Sequence, residues 1–137
     1  CDMNYGDGPT HFYGHGTADP LRDDITLQSL EAKSARLMLM AAAQGCLTVN
    51  LSSQPTSRLL FPAKPLDWIE SLTAKDHKTC LEPLLEMSNG EGNLAAIQRE
   101  AKLGYMAANG RYWEVAENFD AEELMLLDRL WLAAAQS

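Results

Sequence analysis

Asp120-Ala121-Glu122-Glu123-Leu124-Met125-Leu126-Leu127-Asp128-Arg129-Leu130-Trp131-Leu132-Ala133-Ala134 decides the fold class. Asp120 and Glu123 stand in the spacing of a capping box, which marks a helix start. Leu124, Leu127, Trp131 and Ala134 then recur at helical intervals, with Leu130 beside them, so one side of the segment is apolar and seeks a core. Moving back along the chain, Asn93 is positioned to cap a helix with an apolar stripe of Leu94, Ile97, Ala101 and Tyr105, ended by Asn109-Gly110. Asn89-Gly90-Glu91-Gly92 is a loop ahead of it.

Further upstream, Leu66 to about Lys78 has helical spacing with Trp68, Ile69 and Leu72 inward. Proline suits only the first turn of a helix, so Pro83 predicts a break near Thr79 and a new short helix holding Leu84, Leu85 and Met87. The period changes over Leu47, Val49 and Leu51, which alternate with Thr48, Asn50 and Ser52. With Arg58-Leu59-Leu60-Phe61 as a return strand, they suggest a small β-hairpin at 47–61. Before it, Asp24 to Gln44 is a helix capped by Asp24 and stopped at Gly45, with Leu27, Leu30, Leu37 and Ala41 along one face. Its Leu37–Ala43 run is apolar all round, which fits a core position and also a face offered to a partner.

The expected fold is therefore mainly α: a single domain of four to five short helices over 25–137. Residues 1–24 are expected to be a flexible tether, broken by Gly6, Gly8, Pro9, Gly14, Gly16 and Pro20 and kept wet by Asp2, Asp7 and Asp19. A chain of 137 residues suits one domain. Its apolar fraction of 46% and charged fraction of 22% are those of a globular protein. No apolar run approaches the roughly 18 residues needed for a spanning helix. The net charge of −8 opposes nucleic acid as a partner, because phosphates demand a basic face. Residues 25–65 alone are net basic, at +3, so a protein partner with some charge complementarity suits the chain, as does plain solubility.

The familiar signatures of catalysis are missing: no phosphate loop, no paired metal histidines around a Glu, no serine elbow and no Cys-x-x-Cys. His11 and His15, near Asp7 and Asp19, have the spacing of a helical metal pair, but Gly14 and Gly16 oppose a helix there. His77 and Cys80 lie three apart beside charged neighbours. Glu114, Glu117, Glu122 and Glu123 suit a solvated helix face. No catalytic residue, metal or cofactor is assigned, and the chain is expected not to be an enzyme. The partner-binding candidate is Arg111-Tyr112-Trp113 after an Asn-Gly turn. Binding hot spots are enriched in those three residue types, although a packed corner uses them too.

Cys1, followed by Asp2 and a polar glycine-rich stretch, resembles the mature end of a bacterial lipoprotein. That resemblance implies acyl chains on Cys1 and a place in the cell envelope, facing the periplasm. Asp2 resembles the inner-membrane retention signal of enterobacterial lipoproteins. An oxidising compartment would leave Cys46 and Cys80 as an even pair. A disulfide between them would be worth about 4 kcal/mol in the chain-entropy model, whereas in a reducing compartment both would be small buried hydrophobes.

The expected function is that of a lipid-anchored accessory subunit that binds another envelope protein or complex, as pilotins of secretion systems and conjugation-exclusion proteins do. The alternatives are an immunity or inhibitor protein that neutralises an envelope toxin, and an enzyme of unfamiliar family with a deep polar pocket.

Overall fold

The computed structural model describes residues 29–53, 57–104 and 120–136. Among them the chain is helical, with five helices and no strands, and forms a single small domain. The helices are α1 (Leu30–Ala42), α2 (Leu66–Glu70), α3 (Ala74–Ser88), α4 (Glu91–Leu103) and α5 (Ala121–Ala134). Helix α5 packs on both α4 and α1, and α1 packs in turn on α3. The expected tether, with Cys1, His11 and His15, lies outside the described residues. So does the segment holding Arg111, Tyr112 and Trp113.

Helix α5 forms where its sequence predicts, with half of the expected capping box: Asp120 caps it, while Glu123 pairs with Arg99 instead. The Asp120 carboxylate accepts from the backbone N–H groups of Glu122 and Glu123, satisfying two donors that the first turn leaves unpaired. Leu124, Leu127, Trp131 and Ala134 are all buried, and Leu127, Trp131 and Ala134 are completely so. Opposite them α1 presents Ala32, Ala35, Met38, Leu39 and Ala42. The three alanines keep that face of α1 low, which leaves room for the indole of Trp131.

Several sequence expectations are corrected. Helix α1 starts at Leu30, with Ser29 rather than Asp24 as its cap; the Ser29 hydroxyl accepts from Ala32 N–H at 3.1 Å. The Ser29 N–H donates to the Asp128 carboxylate at 2.7 Å, so this end of α1 is fixed by tertiary contact as well as by local capping. The buried face of α1 is also not the expected one, for Leu37 is 54% exposed while Met38 and Leu39 are inside. A run that is apolar all round carries no periodic signal, and the neighbours choose its inner face.

Among the described residues no hairpin forms at 47–61. In its place one isolated parallel bridge joins Asn50 to Ala63, through Asn50 N–H to Pro62 O and Lys64 N–H to Asn50 O, each 2.9 Å. A hairpin needs antiparallel strands, and Pro62 has no N–H with which to extend a ladder. The loop is tied to α1 instead. The Ser34 hydroxyl accepts from Leu60 N–H at 3.0 Å, and Arg58 forms a two-point ion pair with Glu31 at 2.9 and 3.1 Å.

The break expected near Thr79 falls earlier, between α2 and α3. Thr73 and Asp76 form a complete capping box there, which sets the start of α3. The helix then continues through Pro83. Pro83 and Thr79 are both exposed, so the Thr79 carbonyl that loses its partner remains open to water.

Helix α4 begins at Glu91, with Gly90 in the cap position, and Asn93 lies inside the helix. The buried Asn93 side chain donates to Ser88 O, which joins the end of α3 to the start of α4. Helix α4 ends at Gly104, whose φ of +64° is the left-handed closure that glycine takes without strain. The end expected at Asn109-Gly110 lies outside the described residues.

Candidate functional site

Helix α4 is turned against its own hydrophobic pattern. Its inner face carries Asn93, Ala96 and Glu100, while Leu94 is 55% exposed, Ile97 40% exposed, and Ala101 also points outward. The cause lies at Glu100. Arg36 of α1 reaches this carboxylate with two parallel bonds, Nε to Oε2 and Nη2 to Oε1, each 2.7 Å. The indole N–H of Trp131 donates to the same Oε2 at 3.2 Å. The Arg36 guanidinium carbon lies 5.9 Å from the centre of the Trp131 ring, within reach of a cation–π attraction.

One carboxylate therefore joins α1, α4 and α5 and finds three charge-assisted or indole donors in return for its burial. Turning α4 to bury Leu94 would strip Glu100 of all three, and an unpaired buried charge costs more than an exposed leucine. A second ion pair, Arg99 with Glu123, links α4 to α5.

Such a triad holds the helices in register, with the Arg36 and Glu100 side chains largely withdrawn from water. Several large apolar side chains face outward. Leu37 and Met40 project from α1, Leu94 and Ile97 from α4, and Met125 and Leu126 from α5. Trp68 on α2 is half-buried rather than core, with the Lys64 ammonium 4.8 Å from its ring centre.

A shallow hollow of about 530 Å³ lies between the end of α3 and the start of α4, lined by Pro83, Glu86, Met87, Gly90, Glu91 and Gly92. The ionisable groups among the described residues that line it are the carboxylates of Glu86 and Glu91. Among the described residues no cluster of His, Cys, Asp and Glu is placed to hold a metal, and no helix is long and apolar enough to cross a membrane. The carboxyl of Asp76 titrates below its ordinary value. The hydrogen bond from the Thr73 hydroxyl, then that from the Thr73 N–H, hold its carboxyl below the usual value, with help from Lys75 and Lys64.

The structure does not form the expected Cys46–Cys80 bridge; both are free thiols. Cys46 sits exposed in the turn that follows α1, its sulfur 3.9 Å from the carbonyl of Gln44, while Cys80 is half-buried within α3. A disulfide requires the two Cβ atoms about 3.8 Å apart and facing each other. The Cys46 sulfur is instead occupied with its own turn.

The Arg36–Glu100–Trp131 triad escaped the sequence reading because charge partners distant in sequence leave no local pattern. The available signal was Arg36 itself, a charge just ahead of the apolar Leu37–Ala43 run. No protein-family model, curated protein or solved structure matches this chain.

Proposed function

We propose that the chain is a protein-binding accessory subunit of the bacterial cell envelope, carried on a lipid at Cys1 and facing the periplasm. The observation that supports binding is the way the core closes. Trp131, Leu127 and Leu39 are fully buried with a set of alanines, and large apolar side chains such as Leu37 and Met125 stay more than half exposed. Side chains of that kind are what a protein partner removes from water. The envelope setting rests on the resemblance of Cys1-Asp2 to lipoprotein termini, with Asp2 tilting it towards the inner membrane.

The test is purification from native membranes with an intact mass. Acyl chains on Cys1, together with a stoichiometric envelope partner that is lost on Leu37→Glu or Met125→Glu, are the expected result. An unacylated chain that purifies alone would overturn the proposal. A second reading, an immunity or inhibitor protein, is favoured by the net charge of −8, which suits a basic cleft. Tight 1:1 capture of one secreted toxin would select it.

A further inference from the structure

The outward stripe of α4 has a symmetry that the buried face lacks. Glu91, Leu94, Ile97, Ala101 and Lys102 are all exposed. At 100° per residue, Leu94, Ile97 and Ala101 cluster within about 60° of arc. Glu91 and Lys102 fall together on one flank of that stripe.

When a second α4 is laid antiparallel with the two-fold axis at Ile97, Ile97 meets its own copy and Leu94 covers Ala101 of the other chain, large against small. In an antiparallel pair like flanks face each other, so Glu91 of each copy comes opposite Lys102 of the other, twice by symmetry. Neither Glu91 nor Lys102 forms an ion pair with another described residue. The acidic first turn of each helix also faces the basic last turn of its partner, so the helix dipoles run opposed and favour this orientation.

We infer that the exposed face of α4 is a homodimer interface, in which two copies of this chain pair antiparallel about Ile97. The contact is one 13-residue helix, about 20 Å long, per copy, which places it among small, reversible interfaces. It holds whether or not Cys1 is acylated, and it is separate from the partner surface proposed for α1 and α5.

The test is sedimentation equilibrium of the full 137-residue chain, kept reduced, from micromolar to high-micromolar concentration. A monomer–dimer equilibrium is expected. Ile97→Asp should abolish it, and Glu91→Lys or Lys102→Glu alone should weaken it about five- to tenfold by setting like charges face to face at both ends. The Glu91→Lys/Lys102→Glu double variant should restore it. All these side chains are exposed, so far-UV circular dichroism should be unchanged and a lost dimer cannot be assigned to unfolding. A monomer at every concentration, a dimer indifferent to Ile97→Asp, or a double variant no better than the singles would each overturn the inference.

Discussion

Arg36 and Glu100 meet fork to fork, with two nitrogens on two oxygens at 2.7 Å, although 64 positions separate them in sequence. Their side chains are only 20% and 10% exposed, so the pair is held largely out of water. Removing one partner should cost far more than removing both. Glu100→Ala should destabilise by about 3–5 kcal/mol, because it strands the guanidinium beside Trp131. Arg36→Met with Glu100→Leu should recover most of that loss. Urea denaturation of the two single variants and the double variant measures the difference, and additive losses would show that the pair is not coupled.

Exposure should invert the ordinary ranking of leucines. Leu127→Ala opens a cavity against Trp131 and should cost about 2–5 kcal/mol. Leu94→Ala, at a position the sequence pattern places in the core, should stay within about 0.5 kcal/mol at concentrations where the chain is monomeric. Equal losses would mean that α4 buries the face its pattern suggests.

Asp76 should make the start of α3 sensitive to acid. Its folded-state titration lies below the unfolded value, so its stabilisation is fully present above the ordinary carboxylate range. That stabilisation fades as pH falls through the lowered folded value, once the protonated carboxyl no longer accepts from Thr73. The Tm difference between wild type and Asp76→Asn should therefore be constant from about pH 7 to 5 and shrink below about pH 4. A difference that persists undiminished at pH 2 would remove the carboxylate from the account.

The thiols should behave as two independent groups. Cys46, exposed, should react with a thiol reagent in the native state well before the half-buried Cys80. Peptide mapping without reduction should show no link between them.

What was legible in the sequence follows the range of the forces involved. The cap and stripe of helix α5 are legible because they are local: Asp120 serves Glu122 and Glu123, and Leu124, Leu127, Trp131 and Ala134 are all buried, whereas the pairing of Glu123 with Arg99 is not, since its partner lies on another helix. Helix α4 was legible as a helix and illegible in its orientation, since the residue that turns it is Arg36 on another element. Leu37 was misplaced for a related reason: within an unbroken apolar run only the small alanines opposite Trp131 decide which side goes in. Pro83 misled by position, because its effect depends on whether the freed carbonyl of Thr79 reaches water. The binding candidate Arg111-Tyr112-Trp113 lies outside the described residues, and α4 offers a surface that its own stripe, read as core, had concealed.

The bond from Ser29 N–H to Asp128, across 99 positions, has a consequence for how the protein is made. On a ribosome adding about 5–20 residues per second, the start of α1 waits some 5–20 seconds for the carboxylate that anchors it. During that interval Met38 and Leu39 have no Trp131 to lie beneath. The nascent chain must travel the whole distance with the α5-facing side of its earliest described helix uncovered, so shielding of that side by a holding chaperone would matter most in those seconds, before α5 emerges.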